Sequence, residues 1–434
     1  MSEEAEQSAR RGQSSFCVPR AAIEALLNAQ ATAYEVCAYL TLARFTDARG
    51  VYSTAGLKAI GTAAGANVTR DGTVARAVAR LKTIHYKTVQ KVSNGRSGKS
   101  HSFIDQVIDH GPILFDKQGW IEKTGEIIPP GRIKRADVRF VLPDFDEPRE
   151  SRVWFGGNLV TGVGEFARPL KTIKDGGDVV ARLLLVLYAA TDMDAWGGVD
   201  PHKGPWHHYE PVSDDVHVSG ARLIRAKNEG SVGPTKMFSR AWKGPDHDWW
   251  KAHDAAGGPV WRALELLESA GLFYQTVLVL NRNAEPKAFG SGAKYGDIPA
   301  DAEPLYVLDT RSQHGYKPAG EEGLSGVTAS TANDLGSPVA TSGGHLDGTY
   351  AAIVKRGQGA MVAGIYRPRF RVSNPRNAGV QDAWSGIKAR NREHFDFIQA
   401  VRAAHKLPPA VSPFTDTARA ALATIGKHLA EHEE

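Results

Sequence analysis

The sequence is poor in cysteine and has no long apolar run. Its two cysteines, Cys17 and Cys37, are too few for a disulfide framework, and their spacing is not that of a CxxC metal site. The longest apolar segment, residues 179–190, contains Arg182 and is shorter than the ~18 residues of a membrane span. Residues 1–15 lack the apolar stretch of a secretory signal. These absences predict a cytoplasmic protein without a membrane partner.

The sequence motifs of several enzyme classes are also missing. There is no GxSxG nucleophile motif, no paired-carboxylate motif, and no GxGxxG loop followed by an acidic residue. The HLAEH stretch at residues 428–432 matches the HxxEH zinc motif, but no element follows it to add the third ligand of a catalytic site. We therefore predict that the protein is not an enzyme and that it has no catalytic residue, cofactor or metal site.

Acidic residues are nearly absent between Thr69 and His101, although the whole chain carries a net charge of only +5. Asp71 is the one acid of this segment. Its eight basic residues are Arg70, Arg76, Arg80, Lys82, Lys87, Lys91, Arg96 and Lys99. Concentrated positive charge favours a polyanion such as DNA, because binding releases the counterions that phosphates hold. A solvated basic face has the same composition, so the predicted fold must distinguish the two.

The spacing of apolar residues predicts the order helix, helix, turn, helix, strand, tip, strand for residues 16–112. Ser53 is expected to cap the second helix, and Gly65 is expected to end it. In the third helix one stripe is apolar and the opposite side is basic. The apolar stripe consists of Val74, Val78, Leu81 and Ile84. This order of elements is that of a winged helix-turn-helix domain.

The glycine-rich stretch NGRSGKSH at residues 94–101 is similar to the end of a phosphate-binding P-loop. A P-loop needs glycine at the first position of GxxxxGK[ST], where this chain has Ser93, and it needs a helix after the lysine. Residues 101–109 are rich in β-forming side chains instead. We therefore predict that residues 92–101 are the tip of a β-hairpin, the wing of the domain.

The third helix and the wing contain the predicted contacts with double-stranded DNA. The third helix of a helix-turn-helix protein lies in the major groove, where arginine can pair with guanine through two hydrogen bonds. We predict that Arg76 reads a base. The other predicted contacts of the helix are Arg70 and Thr73, to bases or phosphates, and Arg80 and Lys82, to the backbone. The predicted contacts of the wing are Arg96, Lys99 and His101.

A second passage of helix, strand, long tip and strand lies between residues 153 and 317. Residues 267–278 match residues 81–92 in passing from a helix into a strand, which predicts a second winged helix in tandem with the first. The positive charge of this region lies in residues 219–244. Its candidate DNA contacts are Arg222, Arg225, Lys236 and Arg240. Dimerisation is the alternative use of this segment.

Composition completes the predicted domain map. Small and polar residues dominate residues 318–348, which is typical of a flexible linker. The predicted regions are a disordered tail (1–15), a first winged helix (16–112), a connector (113–152), a second winged helix (153–317), the linker (318–348), and a C-terminal hairpin with helices (349–434). The predicted fold class is therefore α+β, with tandem winged helix-turn-helix domains, a linker and a small α/β C-terminal region.

In the passages YLTLARFTDARGVYSTAGLKAIGTAAG and VTRDGTVARAVARLKTI, and in element order, the chain resembles the tandem winged-helix proteins of bacterial plasmids and phages, above all plasmid replication initiators. The resemblance covers residues 16–110 well and residues 150–310 loosely. It implies a sequence-specific DNA-binding protein that binds repeated origin sites without catalysis and recruits host replication proteins. It also implies an association with the bacterial nucleoid or a plasmid, and self-association through the second domain.

Two other functions are compatible with the same sequence. The first is a transcriptional regulator that binds an operator, in which the C-terminal region oligomerises or senses a ligand. The second is a metal-dependent enzyme built on the His-rich residues 202–253. The potential ligands there are His202, His207, His208, Asp246, His247 and Asp248, which lack a regular spacing.

Overall fold

A computed structural model of the chain describes residues 15–47, 50–66, 72–93, 103–118, 138–148, 151–162, 168–193, 195–218, 221–232, 258–281, 298, 302–311, 349–355 and 360–370. These residues form α-helices and antiparallel β-strands, which agrees with the predicted α+β class. The chain divides into two compact units. The first contains residues 1–189, 235–272 and 369–372, and the second contains residues 190–234, 273–368 and 373–434.

The described helices all belong to the first unit. They are α1 (Arg20–Asn28), α2 (Ala33–Arg44), α3 (Leu57–Ala64), α4 (Thr73–Leu81), α5 (Asn158–Thr161), α6 (Pro169–Gly176), α7 (Asp178–Ala189) and α8 (Pro259–Ser269). Among the described residues, no helix is long and apolar enough to cross a membrane.

The helix α2 lies at the centre of the first unit. A capping box starts it: the Thr32 N–H donates to Glu35 Oε2 at 2.9 Å, and the Glu35 N–H donates to Thr32 Oγ1 at 3.4 Å. Every residue from Val36 to Ala43 is buried, and the helix contacts α3, α4, α6 and α7. A helix that is apolar on all sides needs neighbours on all sides, so helices from distant parts of the chain surround it.

The helix α7 explains why the first unit extends past the predicted boundary at residue 153. Its residues are buried from Val180 to Tyr188, including Arg182, which donates to the carbonyl of Ala31 at 3.2 Å. Burial removes water from this guanidinium and lowers the pKa of Arg182. Because α7 packs against α2 and α8, the observed division differs from the predicted domains 16–112 and 153–317.

Burial also decides the state of both cysteines. Cys17 and Cys37 are free and buried. Desolvation raises the pKa of the Cys37 thiol to about 12, so it stays protonated at neutral pH, and a protonated thiol is a poor nucleophile. The Cys37 thiol donates to the carbonyl of Leu170 at 3.4 Å, where α2 meets α6.

The described strands of the first unit form three small antiparallel sheets. They are β1 (Ser15–Val18) with β7 (Val153–Gly156), β2 (Tyr52–Ser53) with β6 (Phe140–Val141) and β5 (Phe115–Asp116), and β3 (His85–Ser93) with β4 (Phe103–Pro112). The β3–β4 hairpin confirms that a strand, and not a helix, follows the glycine-rich stretch. Ser53 lies in β2 and its hydroxyl donates to the carbonyl of Leu42 at 2.7 Å. Its predicted role as a helix cap is therefore wrong, and Gly56 precedes α3 instead.

The second unit contains one large antiparallel sheet and a short strand pair. The pair is β8 (Thr191–Asp192) with β9 (Gly198–Val199). The large sheet contains β10 (Trp206–Val218), β11 (Ala221–Val232), β12 (Phe273–Asn281), β13 (Glu303–Arg311), β14 (Thr349–Lys355) and β15 (Ala360–Pro368). Their spatial order is β13-β12-β15-β10-β11-β14, with every pairing antiparallel.

The predicted C-terminal hairpin of the strands β14 and β15 is wrong. The strand β14 pairs with β11, whereas β15 lies between β12 and β10. The residues Val362–Pro368 are all buried, and a strand that is buried throughout favours the middle of a sheet. Residues 349–368 therefore complete the sheet of the second unit and are not a separate region. The predicted linker 318–348 and the predicted C-terminal helices lie outside the described residues.

Candidate nucleic-acid interface

Two glycines mark the passage from α3 to α4. Gly65 follows α3 with a φ of 61°, which confirms the predicted helix end, and Gly72 precedes α4 with a φ of 59°. Side chains disfavour this left-handed conformation, and glycine adopts it freely. The helices α3 and α4 contact each other and α2. Arg70 lies between them, outside the described residues.

The helix α4 has one buried face and one exposed face. The buried residues are Val74, Ala77, Val78 and Leu81, at helical spacing. Arg76 is exposed, and so are Ala75 and Ala79 on its two sides. The Arg76 guanidinium donates to Thr73 Oγ1 at 3.2 Å. Arg76 and Thr73, two predicted contacts, are thus together at the N-terminal half of the helix.

Arg80 forms contacts with α2 and α1. Its Nε lies 3.2 Å from Glu35 Oε1, and its guanidinium donates to the carbonyl of Ala29 at 3.1 Å. The Glu35 side chain is only 5% exposed, whereas that of Arg80 is 53% exposed. Arg80 therefore neutralises a buried carboxylate at the start of α2, and these contacts restrain the Arg80 side chain.

Lys82 also has a carboxylate partner within the chain. Its Nζ lies 2.6 Å from Asp116 Oδ2 in β5, and 5.7 Å from the ring centroid of Phe140 in β6. Both side chains of the ion pair are partly exposed, so water screens their attraction. The pair links the end of α4 to the sheet of β2, β6 and β5.

The stem of the β3–β4 hairpin alternates opposite charges with apolar residues. Lys87 is opposite Asp109, and Lys91 is opposite Asp105. Between these two pairs lie Val89 and Val107, which are opposite each other and are 64% and 60% exposed. Opposite charges across an antiparallel pair stabilise it. The stem therefore has balanced charge, although β3 alone is basic.

Hydrogen bonds fix the base of the hairpin. His85 Nδ1 lies 2.9 Å from both carboxylate oxygens of Asp109, and the Gly111 N–H donates to Asp109 Oδ1 at 2.8 Å. The Gly111 N–H and His85 lower the pKa of Asp109 below its usual value of 3.8. Across the strands, Thr88 Oγ1 lies 2.9 Å from His110 Nε2.

The remaining predicted contacts fall elsewhere. Arg96, Lys99, His101, Lys236 and Arg240 lie outside the described residues, as Arg70 does. Arg222 and Arg225 lie in β11 of the second unit, where β10 and β14 are the neighbouring strands on its two sides. They therefore lie on the strand next to the edge strand β14, in a different unit from α4.

The His-rich region forms hydrogen bonds in its described part. His207 Nε2 lies 2.5 Å from the Tyr366 hydroxyl, across the β10–β15 pairing. Asp200 accepts from the His202 N–H at 2.9 Å and pairs with Lys203 at 2.8 Å. Among the described residues, no group of three or more His, Cys, Asp or Glu could hold a metal ion. Residues 246–248 lie outside this part.

The structure adds one basic site that was not predicted. A groove of about 590 Å³, here called the α3 groove, runs along the outer face of α3. Lys58, Arg139 and Arg168 line it, together with the ring of Phe45. These residues come from four separate parts of the chain, so no local pattern in the sequence could have indicated the groove.

Comparisons of the chain with family models, with curated proteins and with solved structures find no match.

Proposed function

We propose that the protein binds double-stranded DNA through the first unit, with α3 and α4 as a helix-turn-helix and the β3–β4 hairpin as its wing. One observation carries the proposal. The apolar stripe of α4 is buried against the unit, so that Arg76 is exposed between Ala75 and Ala79, and the hairpin follows α4 directly. This order and this exposure are what a recognition helix with a wing requires.

The exposed face of α4 suits the major groove. Arg76 can form two parallel hydrogen bonds with the O6 and N7 of guanine. Ala75 and Ala79 are small, so they permit close approach, and a methyl side chain is a suitable contact for the methyl group of thymine. Thr73, which accepts from Arg76 in the free protein, becomes available for a base or a phosphate when Arg76 binds guanine.

The wing contributes through its tip in this proposal. The charges of the stem are balanced by Asp105 and Asp109, so net attraction for phosphate has to come from Arg96 and Lys99, with His101. Arg80 and Lys82 have carboxylate partners, and we assign them to folding rather than to backbone contacts. The proposed interface therefore includes only some of the basic residues of the segment from Thr69 to His101.

The proposed biological role is replication initiation at repeated sites, without catalysis. Of the two tandem winged helices that the sequence predicts, we propose only the one in the first unit, because the strands β10 to β15 form one six-stranded sheet. A transcriptional regulator is the second candidate, since a single DNA-binding unit joined to a unit of different architecture suits an operator-binding protein. In both cases the second unit is the candidate for self-association.

Selection from random duplex DNA with the full-length protein tests the proposal. We expect a defined sequence motif, and a binding constant that falls steeply as salt rises, because phosphate contacts release counterions. Direct repeats in the motif favour an initiator, and a palindrome favours a regulator. Absence of any enriched sequence, together with binding that salt does not weaken, would contradict DNA recognition.

A further inference from the structure

Among the described residues that line the α3 groove, the charged side chains are all cations. They are Lys58, Arg139 and Arg168, and the described lining includes no aspartate or glutamate. The described cations elsewhere in this unit include several with close carboxylates: Arg80 with Glu35, Lys82 with Asp116, Arg152 with Asp144, and Lys171 and Lys174 with Asp175. Three cations around one groove repel each other, and an anion bound between them removes that repulsion.

The local fold brings Arg139 over the beginning of α3. A Cβ atom added at Gly56 would lie 2.7 Å from Arg139 Nη1, closer than real Cβ contacts. Glycine at this position therefore leaves the space that the guanidinium occupies. Arg139 and Lys58 are exposed, so their charged ends are accessible to a ligand that enters from solvent.

One wall of the groove is aromatic. Phe45 is 37% exposed, and the Arg44 guanidinium lies 5.7 Å from the centroid of its ring. The floor includes Ala59 and Ala63 of α3, and Thr62 supplies a hydroxyl. Aromatic rings provide stacking surfaces for nucleic-acid bases. The groove thus offers cations for a phosphate, and a flat apolar surface for a ring attached to it.

We propose that the α3 groove binds a free nucleotide, with the phosphate between Lys58, Arg139 and Arg168 and the base against Phe45. Its volume of about 590 Å³ lies within the range of about 300–1,000 Å³ of small-molecule sites. A concave site of this size suits a small ligand better than a continuous duplex. The ligand site is separate from the residues of α4 that are proposed to bind DNA. The nucleotide proposal can therefore be tested independently of the proposed DNA binding.

Calorimetric titration of the full-length protein with each of the four nucleoside 5′-monophosphates tests the groove. We expect saturable binding of at least one of them, with the corresponding nucleoside binding about tenfold or more weakly, because it lacks the charged hydrogen-bond acceptor. Each of Lys58→Gln, Arg139→Gln and Arg168→Gln should weaken binding about tenfold on the same basis. Phe45→Leu should weaken the binding of the nucleotide more than it weakens the binding of inorganic phosphate.

Lys91→Gln is the matched control, since it removes one exposed cation of the same unit outside the groove. It should leave nucleotide affinity unchanged, and all variants should keep the melting temperature of the wild type. No binding of any of the four nucleotides to the wild-type protein would overturn the proposal. Equal weakening by Lys91→Gln would overturn it too, because the attraction would then be nonspecific.

Duplex DNA of random sequence, added as a competitor, separates a free-nucleotide site from a contact with the DNA backbone. Nucleotide affinity that persists in Arg76→Ala and in excess duplex supports the proposal. Displacement of the nucleotide by duplex, with loss of duplex affinity in Arg139→Gln, would overturn it and identify the groove as part of the DNA interface. Loss of DNA binding alone would contradict only the proposed function.

Discussion

The first unit contains two basic regions that differ in how the fold treats their charge. The segment from Thr69 to His101 is basic in sequence, but Arg80, Lys82, Lys87 and Lys91 face acids from other elements. In the α3 groove, cations from three distant positions converge, and no acid is among the described residues that line it. In the first region the basic residues are neighbours in the sequence. In the second, the basic residues come together only in the folded protein.

This difference changes which residues we expect to bind a phosphate. A cation with a nearby carboxylate has much of its attraction for an anion cancelled, and its side chain is restrained in the folded protein. A cation among cations attracts anions more strongly. Within the described part of the basic segment, we expect Arg76 to contact a base, and we expect its neighbours Arg80 and Lys82, which have carboxylate partners, to stabilise the fold.

The largest expected effect is that of Arg76→Ala on sequence recognition. Loss of the two parallel hydrogen bonds to guanine should cost about 1–3 kcal/mol of binding free energy at one base pair, and it should relax the preference for guanine there. The exposed side chain contributes little to packing, so the melting temperature should not change. Binding to the selected site and to sites with each base substituted measures this effect. An equal loss of affinity for every sequence would contradict a base contact.

Glu35→Ala should instead affect folding. The carboxylate accepts from the Thr32 N–H in the capping box and partners Arg80, so its removal should lower the free energy of unfolding by about 1–2 kcal/mol. Glu35→Gln retains an acceptor for the cap and should cost less. Urea denaturation of both variants measures the difference. Unchanged stability in both would mean that Arg80 is not restrained by this contact.

Asp109 should make the stability of the hairpin depend on pH. Because the folded protein lowers its pKa below 3.8, the carboxylate stabilises the fold above its unfolded pKa of about 3.9, and this contribution is lost as pH falls further. The stability difference between the wild type and Asp109→Asn should therefore shrink below about pH 4. Denaturation curves at several pH values measure it. A difference that is the same at every pH would exclude this linkage.

The smallest expected effect is that of the Lys82–Asp116 pair. Partly exposed ion pairs contribute about 0.2–1 kcal/mol, and salt screens them. A double-mutant cycle with Lys82→Ala and Asp116→Ala should give a coupling energy of about 0.5 kcal/mol that decreases in high salt. A coupling energy of zero at low salt would show that the ion pair with Asp116 does not restrain Lys82.

Local patterns predicted the individual elements well. The apolar stripe of α4, the end of α3 at Gly65, and the two strands around the glycine-rich stretch follow from spacing and residue type alone. There were two exceptions. The single helix predicted before Ser53 is two helices, α1 and α2, and the Ser53 hydroxyl reaches the carbonyl of Leu42 in α2, a tertiary contact that no local rule contains. Elements formed by neighbouring residues are thus accessible from sequence.

Long-range partners were not accessible from sequence. The apolar character of α7 predicts burial, but it does not say that α2 and α8 cover it. The strands β14 and β15 look like a hairpin because a short turn separates them, whereas β15 inserts between β12 and β10. The α3 groove was missed for the same reason, since Lys58, Arg139 and Arg168 converge only in the folded chain.

The salt dependence of DNA binding by single variants shows whether the cations with carboxylate partners contact phosphate. On the selected site, we expect that Lys82→Ala leaves the slope of log affinity against log salt unchanged, because Asp116 partners Lys82. Lys99→Ala, in the wing, should reduce the slope by about one unit. If instead Lys82→Ala reduces the slope as much as Lys99→Ala does, Lys82 contacts phosphate, and the assignment of the paired cations to folding is contradicted.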